Sequence, residues 1–110
     1  MNKRNEYRKK LISIIEKNLN KKYNEFKKEI PIKTEEINFS GFGYGSSIFI
    51  TYDLGSLNTY MYNNNYTEEE FNKCFKEIRD LKDTTEKGYI ISSDGFCCKY
   101  KLEKLKKEQK

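Results

Sequence analysis

Apolar residues fall at Tyr7, Leu11, Ile15, Leu19, Tyr23, Phe26 and Ile30, in steps of four broken by a single three. Steps of this size keep side chains on one face of a helix. The spacing predicts an amphipathic helix from Asn2 to Ile30, its stripe widened by Ile12 and Ile14. Pro31 closes it, because the residue before a proline is pushed out of helical backbone. At ~1.5 Å per residue such a helix would be about 40 Å long, more than one small core covers. Either Asn18 and Asn20 break it, or one end projects, or a second copy covers part of the stripe as a homodimer.

The pattern then shortens to a period of two, the repeat of a strand. Lys33 to Ser40 reads as a first strand, with Ile37 and Phe39 on one face. From Ser46 to Leu54, Ile48, Ile50, Tyr52 and Leu54 alternate with Phe49, Thr51 and Asp53. Asp53-Leu54-Gly55-Ser56 reads as a hairpin connection, since glycine supplies the positive φ that short loops need. Leu57 to Tyr62 reads as a third strand, with Leu57, Thr59 and Met61 facing the core and Tyr60 and Tyr62 opposite.

After Asn63-Asn64-Asn65, Thr67 and Glu70 form the signature of a capping box, in which each side chain accepts the other's backbone N–H. The helix they open points Phe71, Cys74, Phe75, Ile78 and Leu81 inward and ends near Asp83-Thr84. Tyr89 to Ser93 and Phe96 to Tyr100 flank Asp94-Gly95, a strong type I′ hairpin pair. Tyr89 and Ile91 take the core side there, with Ile90 and Cys97 opposite. The expected fold class is α+β, a single domain over residues 1–110 in the order α-β-β-β-α-β-β. Its mainly antiparallel five-stranded sheet carries the helices on one face, and residues 101–110 form a basic C-terminal tail.

Composition narrows the chemistry. The chain has no Ala, Val, His or Trp and is crowded with Lys, Asn, Ile, Tyr and Phe. Those abundant residues have AT-rich codons, so the composition reports a GC-poor genome before it reports a function. Without His there is no Ser-His-Asp triad, no Cys-His pair and no His-ligated metal. Cys74, Cys97 and Cys98 are odd in number and include an adjacent pair that points to opposite faces of a strand, so all three read as reduced thiols. That fits a cytoplasmic location. Leu11 to Ile15 is too short for a signal core or a membrane span.

Charge divides along the chain. Residues 1–33 carry 11 basic and 4 acidic groups, residues 34–100 carry 6 and 11, and residues 101–110 carry 5 and 2. The ends are basic and the middle acidic. Gly41-Phe42-Gly43-Tyr44-Gly45 precedes a strand rather than opening a helix and lacks the Gly-Lys-Ser/Thr ending, so it is no nucleotide loop. Gly-Phe-Gly-Tyr overlaps part of the signature of RNA-recognition motifs, but Ser40 stands where a basic residue belongs and the element order differs.

These readings favour a small non-catalytic protein-binding module needing no cofactor and holding no metal site. A phage or other mobile-element inhibitor of a host defence system, such as an anti-CRISPR, is one such module. The candidate contact residues are Phe42, Tyr44, Phe49, Tyr60 and Tyr62, because aromatic side chains with polar surroundings make common interface anchors. The alternative is nucleic-acid binding through Lys9, Lys10, Lys17, Lys21 and Lys28 of the first helix together with the basic tail.

Overall fold

The long apolar stripe forms two helices rather than one. In the computed structural model, which describes residues 3–38 and 45–94 with the side chains of residues 3, 4 and 94 apart, α1 spans Lys3–Leu19 and α2 spans Tyr23–Phe26. Asn20 ends α1 with a left-handed φ of 56°. The Lys21 N–H reaches back to the Glu16 carbonyl at 3.2 Å, six residues closing on one, which is the Schellman ending of a helix. The Tyr66 hydroxyl donates to the freed Leu19 carbonyl. The Glu16 carboxylate accepts the Tyr23 N–H at 2.9 Å as α2 begins.

The break lets the stripe fold onto one core. Tyr7, Leu11, Ile15, Leu19, Phe26 and Ile30 are all buried, and Tyr23 is half-buried against them. The stripe is thus covered within a single chain, and the length argument for a second copy loses its premise.

Strand β1 (Ile32–Asn38) pairs antiparallel with β2 (Ser46–Asp53), placing Ile32 opposite Tyr52 and Thr34 opposite Ile50. Its first residue is held by side chains where a strand neighbour would otherwise be. The Ile32 N–H donates to the Tyr23 hydroxyl at 3.3 Å, and Arg8 donates to the Ile32 carbonyl at 3.3 Å. The Arg8 guanidinium lies 5.6 Å from the centre of the Tyr23 ring, so α1, α2 and the strand are tied at one point.

The residues after β2 overturn the expected third strand. Leu54–Asn63 is a helix, α3, rather than a hairpin turn and strand. The Asp53 carboxylate accepts the Ser56 N–H at 3.0 Å and so acts as the N-cap. Leu54, Leu57, Asn58 and Met61 then share one buried face at helical spacing. Asn65, at φ 68°, ends the helix as Asn20 ends α1, with Tyr66 N–H donating to Met61 and Asn65 N–H to Tyr62. The same run of asparagines that reads as a turn therefore terminates a helix.

Helix α4 (Glu68–Asp83) begins at the expected capping box: Thr67 accepts the Glu70 N–H at 3.1 Å, and Glu70 accepts the Thr67 N–H at 2.8 Å. Phe71, Cys74 and Ile78 are buried, and Phe75 and Leu81 lie half-buried beside them. Burial pushes the Cys74 thiol up to about 12, so it is a small apolar core residue and not a nucleophile.

Through α3 and α4 the chain crosses over and returns as β3 (Tyr89–Asp94), which lies parallel to β2. A parallel pair needs such a crossover, whereas a hairpin gives an antiparallel one. Gly88, at φ 94°, turns the chain into β3 in a conformation that side-chain-bearing residues rarely adopt. Among the described residues the sheet is therefore three-stranded and mixed, in the order β1-β2-β3, with four helices. This replaces the five-stranded, mainly antiparallel sheet. The expected strand at Phe96–Tyr100, the thiols of Cys97 and Cys98, the Phe42 and Tyr44 loop and the basic tail lie outside the described residues.

One face of the sheet makes the core. Ile32, Ile50, Tyr52 and Ile91 are buried on it, with Ile48 and Tyr89 at its edge. No helix among the described residues is long and apolar enough to cross a membrane.

Candidate functional site

The opposite sheet face is defined by the same alternation. Phe49 stands at its centre, paired with Glu35 on β1 and Ile90 on β3. Phe49 is half-buried, and among the described residues it is not part of the core cluster. Ile37, one strand over and two residues along, is 36% exposed, and Ile90 is also 36% exposed. No other large apolar side chains stand so exposed among the described residues. Thr51, Ser47, Lys33 and Glu35 share this face, so a short apolar strip sits in polar surroundings.

Tyr60 and Tyr62 do not join Phe49. They lie on α3, two residues apart, which turns them about 200° from each other on a helix. Both are half-buried against the core. The Tyr60 ring centre is 6.3 Å from that of Phe26, and its hydroxyl accepts the Lys21 ammonium at 3.1 Å. That hydrogen bond, and then the charge attraction to Tyr60, raise the Lys21 pKa above its usual value. The aromatic set expected on one sheet face is therefore split: Phe49 is on the outer sheet face, and the two tyrosines are on α3.

The lysine set is divided as well. Lys9, Lys10 and Lys17 are exposed on α1, Lys21 lies half-buried in the break, and Lys28 sits in the turn beyond α2. Lys10 pairs with Glu6 at 3.2 Å and Lys17 with Glu77 at 3.0 Å. Neutralised lysines displace fewer counterions from a phosphate backbone, so the stripe is a weaker electrostatic surface than its residue count implies. Lys9 and Lys10 also edge a groove of about 590 Å³ lined by Ile14 and Leu81.

Glu77 is the electrostatic tie between α1 and α4. It accepts Asn18 at 2.7 Å and Lys17 at 3.0 Å, and these two hydrogen bonds, Asn18 first, hold its carboxyl below the usual 4.5. A carboxyl held low in the folded chain contributes stability above its ordinary titration range and loses it as pH falls through the folded value. The wild-type melting temperature therefore drops more steeply on acidification than that of a Glu77→Gln variant. Melting curves for both proteins between neutral and acid pH check this; parallel curves would contradict it.

A second concavity, of about 880 Å³, lies between α2 and the start of α3. Glu25, Glu29 and Asp53 line it with Asn58, Tyr60 and Asn63. Asp53 is already the cap of α3, and the Glu25 carboxylate accepts the Lys22 N–H at 2.8 Å. Nothing in the sequence gathers these residues, which come from separate elements. On β1, Glu35 faces the outer side beside Phe49 and Glu36 lies on the other side, so the two adjacent acids do not form a pair. Among the described residues, no three acidic, cysteine or histidine side chains gather to hold a metal ion.

Sequence reasoning placed Ile37 and Ile90 on strands but did not name them as site residues. The signal that finds them is the alternation itself: Ile90 is out of phase with buried Ile91, and Ile37 is out of phase with buried Ile32. No protein-family model, curated protein or solved structure matches this chain.

Proposed function

We propose that this chain is a small non-catalytic protein-binding module whose contact surface is the sheet face turned away from the core. The observation that carries the reading is the pair of exposed isoleucines, Ile37 and Ile90, flanking Phe49 on the outer sheet face. Contiguous exposed apolar patches rimmed by polar residues mark interaction sites, and burying one against a partner removes apolar area from water. An aromatic ring at the centre of such a patch is the usual anchor of an interface. Three carboxylates serve structure: Asp53 caps α3, Glu70 caps α4 and Glu77 ties two helices. That supports binding over catalysis. The narrower reading, an inhibitor of a host defence system carried by a mobile element, rests on size and composition alone.

The immobilised chain, offered a nuclease-treated extract of its native cells, is expected to retain a protein partner in high salt. Phosphate binding would behave differently, because its affinity falls steeply as salt rises. Retention on a DNA or RNA column at low salt, lost at high salt and with no protein retained, would overturn the proposal in favour of the lysine-rich helix.

A further inference from the structure

We draw no further inference here: the strongest candidate, the groove between α2 and the start of α3 with Glu25, Glu29 and Asp53 in its lining, carries nothing because Glu25 and Asp53 already serve as helix caps and nothing in the structure points to a ligand there.

Discussion

Replacing Phe26 by Ala is expected to lower the stability of the chain by about 3–5 kcal/mol, the range for an aromatic ring removed from a core. Phe26 is fully buried and is the last residue of α2. Its ring centre lies 5.5 Å from Tyr23, edge to face, and 6.3 Å from Tyr60. It thus joins the short helix after the break to α3. Small domains are stable by about 5–15 kcal/mol in total, so a loss of this size removes a large share of the stability. Urea unfolding followed by circular dichroism measures it. A variant as stable as the wild type would mean that the stripe beyond Asn20 projects from the core instead of closing it.

Replacing Ile91 by Ala should cost about 2–5 kcal/mol, whereas the same change at Ile90 should cost under about 1 kcal/mol. The two residues are neighbours on β3 with similar side-chain volumes and opposite surroundings. Ile91 is fully buried and pairs with Ile50, which is also fully buried. Ile90 is 36% exposed and pairs with Phe49. The comparison holds strand propensity and backbone position nearly constant, so the difference reports the two faces. Equal losses in thermal unfolding would mean that both faces are packed, leaving no outer surface for a partner.

What the sequence made legible is what local periodicity controls. The stripe of α1 and α2, the inward face of α4, its capping box and the phase of β2 and β3 all follow from spacing within one element. Helix α3 was misread because Leu57 and Met61 are four residues apart, and a spacing of four satisfies both a strand of period two and a helical turn. Tyr60, Thr59 and Tyr62 favour strands, and Gly55 suggests a hairpin. The deciding contacts were the Asp53 cap and the burial of Leu54 and Asn58 beside Leu57 and Met61. Tertiary packing then outweighed strand propensity. The same misreading carried Tyr60 and Tyr62 onto a sheet face where they do not belong. The parallel β2–β3 pairing and the Lys17–Glu77 bridge, between residues 60 apart, join distant segments that no local pattern relates. Arg8, which holds the first residue of β1, looks in sequence like one more basic residue of a polar helix face. Strand phase set Phe49 and Ile90 apart from their buried neighbours Ile50 and Ile91, but the registers that bring them and Ile37 onto one face join distant segments and were not legible.

The central claim is that folding uses one face of the sheet and partner binding the other. Its most direct test is an Ile37→Lys/Ile90→Lys double variant, measured by thermal unfolding and by partner capture from a nuclease-treated native extract, beside the wild type. Both positions are exposed enough for a lysine to reach water with its charge. The account predicts a melting temperature close to that of the wild type and loss of the captured protein. A double variant that melts like the wild type and still retains the same protein would contradict it.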